Sequence, residues 1–261
     1  MRVVVISGAS SGIGQATARR FAQAGELVFN VDVRPPVDRQ SEQESIGEVV
    51  WLKADVVDWD HVHELLDQVH RDHGQLDVVI ANAGISVRHG VLEISEATAR
   101  RIIDVNLMGV LAMWTGAARH MVRQGNGVLL ATASVNGLRG YPYYADYNAT
   151  KAGIASLCRT FALELSPAVR VACVSPGAVL TPMQLAEYSK EMLDEVNARI
   201  PAGRHADPSE IADAFFYLAS PAAKFITGQE LVIDGGEIAG ATTSDFSIGG
   251  IARTATSGGI P

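Results

Sequence analysis

Short runs of consecutive apolar residues alternate along this chain with longer stretches in which apolar positions recur at helical spacing. Residues 3–6 (VVVI) are a continuous apolar run that ends in a glycine-rich turn, and residues 14–24 (GQATARRFAQA) then carry a helical pattern. After Gly25, a helix stop, residues 27–33 (LVFNVDV) are again strand-like until Pro35-Pro36 ends them. Further strands are predicted over 49–53, 77–81, 127–133, 169–174 and 230–233, with helices near 58–73, 95–123, 146–166 and 208–219. Strands that are apolar throughout are buried on both faces, so this alternation predicts an α/β fold: a seven-stranded, doubly wound parallel sheet with helices on both sides.

Two segments break the rhythm. Residues 180–205 are longer than a connection between the sixth and seventh strands requires, which predicts a mobile lid. Residues 239–261 are rich in Gly, Ser, Thr and Ala and carry little core pattern; docking on the same or a neighbouring subunit is the expectation for them. The predicted organisation is one nucleotide-binding domain over 1–238 with an integral catalytic site, followed by the 239–261 tail.

Composition narrows the classes. Of 261 residues, 48% are hydrophobic and 19% charged, which supports a large folded core rather than a disordered chain. The net charge of −8, with no Lys/Arg cluster, argues against a nucleic-acid partner. Two cysteines, Cys158 and Cys173, predict neither a disulfide framework nor a metal site. No apolar run reaches the roughly 18 residues of a membrane span, and no signal-peptide pattern opens the chain, so a soluble, reducing, cytoplasmic setting is expected.

The chemistry starts at the first turn. Gly8-Ala9-Ser10-Ser11-Gly12-Ile13-Gly14 lies directly after a strand and opens a helix. Glycines there permit a tight turn and close approach of backbone to a pyrophosphate, and the helix N-terminus offers free N–H groups to the anion. Asp32, at the end of the second strand, can accept hydrogen bonds from adenosine ribose hydroxyls and would repel a 2′-phosphate, favouring NAD; Arg34 leaves NADP open.

Tyr147 and Lys151, four residues apart, share one helix face, and Ile154, Cys158, Phe161 and Leu165 carry the same stripe inward. A phenol titrates near 10, so acting as a base near pH 7 requires lowering it by about 3 units, about 4 kcal/mol. An ammonium and an oxidised nicotinamide, both positive, could supply that together. Ser134, at the carboxyl end of the 127–133 strand, lies where ligands bind in such sheets and can hydrogen-bond a reacting oxygen.

Together these residues resemble the classical short-chain dehydrogenase/reductase family over about residues 3–238. Asn82-Ala83-Gly84, Asn106 in DVNLMG, Pro176-Gly177 and Asp234-Gly235-Gly236 add to the resemblance. It implies Tyr147 as acid/base, Lys151 lowering its pKa and holding the nicotinamide ribose, Ser134 on the substrate oxygen, and Asn106 steadying a water linked to Lys151. It also implies Asp55 and Val56 on adenine, Asn82 to Gly84 along the adenosine side, and Ile13, Val179 and Thr181 around the nicotinamide beside Pro176 and Gly177. A homotetramer built on helices near 104–123 and 147–165 is implied as well.

The expectation is a reversible NAD-linked interconversion of a secondary alcohol and a ketone, with a small-molecule substrate and no metal. The rivals are an NADPH-dependent ketoreductase acting on a carrier-linked 3-oxoacyl group, and a non-catalytic dinucleotide sensor. His61, His63, His70 and His73 are expected to form polar helix surface. Tyr141, Tyr143 and Tyr144 are candidates to line the substrate pocket, or simply to pack their loop. Met183, Leu185 and Tyr188 of the lid point to a partly apolar substrate.

Overall fold

The computed structural model describes residues 1–36 and 49–240. Seven parallel strands form one sheet: β1 (Val3–Ser7), β2 (Leu27–Asp32), β3 (Val49–Lys53), β4 (Val78–Ala81), β5 (Gly127–Thr132), β6 (Val169–Pro176) and β7 (Gln229–Ile233). Their order is β3-β2-β1-β4-β5-β6-β7. The chain builds outward from β1 to β3, then returns to the other side of β1 with β4. At that reversal the connections diverge and leave a crevice beyond the strand ends.

Helices α1 (Gly12–Gln23), α2 (Trp59–His73), α3 (Glu96–Ile103), α4 (Gly109–Gln124), α5 (Ala145–Leu165), α6 (Pro182–Glu187), α7 (Lys190–Arg199) and α8 (Pro208–Leu218) cover the sheet and its open end. One core, with Trp114, Met113 and Leu129, lies between the sheet and α2, α4 and α5. The other, with Ile6, Phe21 and Phe215, lies under α1 and α8. Ile154 and Cys158 are buried in the first core, with Phe161 and Leu165 packed against it, so the inward stripe on α5 is as predicted.

Three local features go beyond what the pattern states. The helix foreseen over 95–123 contains a π-turn at Asp104–Met108 between α3 and α4. Such turns insert one residue into the helical ladder without changing its hydrophobic period, so the pattern does not reveal them. The 180–205 segment forms two helices, N-capped by Thr181 and Ser189. Its ends are tied together where Leu180 N donates to Ala206 O and Ala206 N to Ala178 O, both at 2.9 Å. The histidines do not form a simple polar surface: His63 Nε2 contacts Ala112 O at 3.1 Å, His70 stacks on His120 at 4.3 Å, and His73 packs against Phe29. The tail beyond Gly240 lies outside the described residues.

Candidate active site

The glycine turn is shaped by close packing as well as by ligand access. Gly8 has φ +68°, and a Cβ there would fall 2.7 Å from Ala83 Cα. A Cβ on Gly14 would fall 2.3 Å from Gly8 O and 2.5 Å from Asn82 Nδ2. Gly12 (φ +55°) faces Thr181, whose Cγ2 would be 3.4 Å from its Cβ, so the turn and the start of α6 bracket one gap. Ser11 occupies the N-cap of α1 without a capping side-chain hydrogen bond, leaving first-turn N–H groups to meet an anion. Ile13 follows in that first turn. The open helix terminus and the space kept clear by glycine fit a dinucleotide pyrophosphate.

Two polar residues that the sequence pattern did not single out hold this turn. Asn30, fully buried in β2, accepts from Ala9 N at 3.0 Å and donates to Ser10 Oγ at 3.0 Å. Ser10 Oγ in turn donates to Arg34 O at 2.6 Å. The only sequence signal was an asparagine among the apolar residues that precede Asp32 in β2. Asp32 accepts from Ser10 N at 3.1 Å and Arg34 N at 3.0 Å, which aims its half-buried carboxylate across the turn with lone pairs to spare. The Arg34 residue is exposed.

Several other expected contacts have protein partners. Asp55 pairs with Arg101 at 3.0 Å, and Val56 is buried beneath Gly109. Asn82 Nδ2 donates to Ser7 O and Gly8 O at 3.1 Å each, while its Oδ1 accepts from Thr132 Oγ1 at 2.8 Å. It therefore clamps the ends of β1, β4 and β5. Gly84 lies against the opposite group: a Cβ there would be 3.4 Å from Asn106 Oδ1 and 3.7 Å from Lys151 Nζ. Asn106, buried in the π-turn, exchanges hydrogen bonds with the backbone of Ile85, accepting at 2.8 Å and donating at 2.9 Å. Pro176 ends β6, Gly177 N donates to Ile233 O at 3.0 Å, and Val179 is buried between β6 and α6.

Ser134, Tyr147 and Lys151 converge at the carboxyl end of β5. Ser134 caps a 3-10 turn (Val135–Gly137) that packs tightly on α5; a Cβ on Gly137 would fall 2.7 Å from the Lys151 carbonyl carbon. Asn136 Nδ2 donates to Asn148 Oδ1 at 2.7 Å, and Asn148 Nδ2 to Tyr141 O at 2.9 Å, joining that turn to the start of α5. Behind Tyr147, Asp146 accepts from its backbone N at 2.8 Å and pairs with the nearly buried His89 at 3.0 Å. Lys151 Nζ donates to Thr132 O at 2.7 Å and lies 5.4 Å from the Tyr147 ring centroid.

Burial pushes the Tyr147 phenol up to about 12, with the Ser134 hydroxyl pulling it down and the Glu187 carboxylate pushing it further up. The protein groups by themselves thus hold Tyr147 protonated at neutral pH. Burial also lowers the Lys151 ammonium from 10.5 to about 8. Between those two values the unfolded chain binds more protons at this position than the folded one, so stability rises with pH across that window. The full difference is about 3 kcal/mol. Denaturant titrations at pH 7.5 and 10.5 should therefore show wild type gaining about that much over Lys151→Met; parallel pH responses would refute the buried ammonium.

Above these residues lies a cleft of about 480 Å³. Tyr141, Tyr143 and Tyr144 line it, as do Met183 and Tyr188, but Leu185 does not. Its walls also carry Glu187 and Glu237, which the sequence pattern left unmarked because they approach from the end of α6 and from beyond β7.

Comparison with known proteins extends the picture. The family model described as Enoyl-(Acyl carrier protein) reductase matches residues 8–237. The chain is 38% identical over 239 residues to the cis-4-hydroxycyclohexanecarboxylate dehydrogenase of Sinomonas cyclohexanicum, covering 90% of this chain and 96% of that one. It is 36% identical over 241 residues to a 3-oxoacyl-(acyl-carrier-protein) reductase of Thermotoga maritima, covering 90% and 97%. The solved gluconate 5-dehydrogenase of Burkholderia cenocepacia J2315, in complex with NADP and tartrate, superposes with a TM-score of 0.86 at 28% identity, covering 92% and 96%. With a single parallel sheet, a glycine turn fitted to a dinucleotide and relatives matched along almost their whole length, this chain belongs to the short-chain dehydrogenase/reductase family, oxidoreductases acting on CH–OH groups.

Proposed function

We propose that the protein oxidises a secondary alcohol to a ketone, reversibly, with NAD. The observation that carries this reading is the meeting of Ser134 and Tyr147 in the lining of one cleft, with the buried Lys151 ammonium over the Tyr147 ring behind them. The Ser134 hydroxyl holds the reacting oxygen. Tyr147 takes the hydroxyl proton in oxidation and returns it in reduction. Lys151, still an ammonium at pH 7, faces the phenol and stabilises its anion. Asn106 keeps the 84–85 backbone against Lys151 and so fixes the ammonium's side of the cleft. Bound NAD supplies the hydride acceptor and a positive charge that acts with Lys151 to bring Tyr147 down from its buried value.

Residues 1–238 make up the catalytic unit in this reading. Gly8, Ser11, Gly12, Ile13 and Gly14 receive the pyrophosphate, Asp32 the ribose hydroxyls, and Val179 and Thr181 the nicotinamide end. Assembly as a homotetramer through α4 and α5 is part of the proposal, supported by Val122 and Leu163, which are 48% and 84% exposed on those helices.

Initial rates of NADH or NADPH formation over a panel of secondary alcohols test the function. Turnover with NAD is the expected result; absence of turnover with either cofactor would overturn it. NAD should be preferred by tenfold or more, because the Asp32 carboxylate meets a 2′-phosphate at close range. Asp32→Ser should bring the ratio of kcat/KM values for the two cofactors near one. A wild-type preference for NADP would instead favour the ketoreductase reading, in which Arg34 receives the phosphate.

A further inference from the structure

The same cleft holds two carboxylates that hydride transfer does not require. Glu187, the last residue of α6, accepts hydrogen bonds from Ser86 Oγ and from Tyr144 OH, the latter at 2.6 Å. Glu237, beyond β7, accepts from Tyr141 OH at 2.6 Å and from Ala178 N at 3.3 Å. Both side chains line the cleft with Tyr147, and both belong to half-buried residues. Among the described residues neither forms an ion pair.

Their side-chain partners are hydroxyls rather than cations. Burial and the adjacent carboxylates push Tyr141 and Tyr144 upward, so both remain hydroxyl donors across the neutral range. Positive charge is placed differently. Arg199 is paired with Glu195, and the exposed Arg88, which also lines the cleft, lies over the Tyr143 and Tyr188 rings, 4.8 and 5.8 Å from their centroids. The cleft thus carries two carboxylates that already accept from hydroxyl groups, and Glu187 is close enough to Tyr147 for its charge to act on the phenol.

We propose that the cleft selects neutral substrates carrying a second hydroxyl near the reacting one, a diol or polyol, with Glu187 and Glu237 as its acceptors. This rests on the alcohol-oxidation reading above. An ionised carboxylate has about four acceptor positions, so each glutamate can take a substrate hydroxyl beside its tyrosine or in place of it. A substrate carboxylate would meet like charge on both walls. Because tyrosine hydroxyls already satisfy part of the demand, a substrate lacking the second hydroxyl leaves no bare charge behind. The discrimination is therefore about tenfold to a hundredfold, below the limit for sites whose polar groups are left wholly unpaired.

The test compares kcat/KM for cyclohexanol, cis- and trans-1,2-cyclohexanediol and 4-hydroxycyclohexanecarboxylate in wild type, Glu187→Gln, Glu237→Gln and Arg88→Ala. Wild type should favour at least one diol over cyclohexanol by about tenfold or more, and the carboxylate should be the poorest of the series. Glu187→Gln should cut the diol-to-cyclohexanol ratio by about tenfold and raise kcat/KM for the carboxylate, through KM. Glu237→Gln reports independently on the second wall and should move the same ratios in the same directions. Activity without a diol preference, or equal loss on every substrate in both glutamine variants, would overturn the proposal while leaving alcohol oxidation intact. A wild type that prefers the carboxylate and loses that preference in Arg88→Ala would assign the cleft to anions instead. A protein inactive on every secondary alcohol would overturn the underlying reading and this proposal together.

Discussion

Tyr147→Phe should lose about a thousandfold in kcat while binding NAD with unchanged affinity, because the phenyl ring retains its packing and loses only the group that carries the proton. The ring lies against Tyr144 with centroids 6.1 Å apart, and neither that contact nor the glycine turn depends on the hydroxyl. What disappears is the phenol oxygen that the Ser134 hydroxyl meets at the cleft floor. Cofactor titration by fluorescence, alongside steady-state rates, separates binding from chemistry. Retained turnover would remove Tyr147 from the reaction, and loss of NAD binding would show that the substitution had damaged the fold instead.

Gly14→Ala should be the most destabilising single-methyl change at the site. Gly14 sits in the first turn of α1 with ordinary helical backbone, so the penalty is steric rather than conformational. Its new methyl would fall 2.3 Å from Gly8 O and 2.9 Å from Ala9 Cα, both backbone atoms. Neither can rotate away, and α1 would have to lift off the end of β1. A cost of about 3 to 4 kcal/mol, near the upper end for overpacking, corresponds to about 10 °C in Tm. Dinucleotide binding should weaken with it, since the same turn presents the helix N-terminus. Gly25→Ala provides the contrast. Its φ of +79° is strained for alanine, but nothing lies within 4 Å of the added methyl, so only about 1 kcal/mol is expected. Equal melting shifts for the two variants would contradict the close-packing account.

Much of the site was legible in the residues because its chemistry is local. Tyr147 and Lys151 are one helical turn apart, and their common face follows from 3.6-residue geometry. Gly8, Gly12 and Gly14 lie between a strand and a helix, where turn chemistry is encoded within a few positions. Asn82 was legible as part of a motif, yet its clamp on Ser7, Gly8 and Thr132 depends on β1, β4 and β5 ending at the same level. Asn136 and Asn148 carried no signal in their own neighbourhoods, since each matters through the other across the gap between a 3-10 turn and α5. The π-turn holding Asn106 was hidden for a different reason: one extra residue in a helical ladder leaves the apolar stripe almost unchanged.

By itself, the sequence determined a doubly wound parallel sheet, the strand ends at which ligands gather, and the residue types able to hold a dinucleotide and move a proton. Periodicity and turn chemistry act over a few residues, so a linear pattern records them. The tertiary structure alone decided what surrounds the reacting groups. It brought Glu187 from the end of α6 and Glu237 from beyond the last strand to phenols at Tyr144 and Tyr141, separations of 43 and 96 residues in the chain. Such convergence depends on how the strands order themselves and on where the 180–205 segment is tied, and no local pattern carries that information. The residue pattern of the candidate site is written near Tyr147, whereas the carboxylates that line the cleft beside it meet only when the chain has folded.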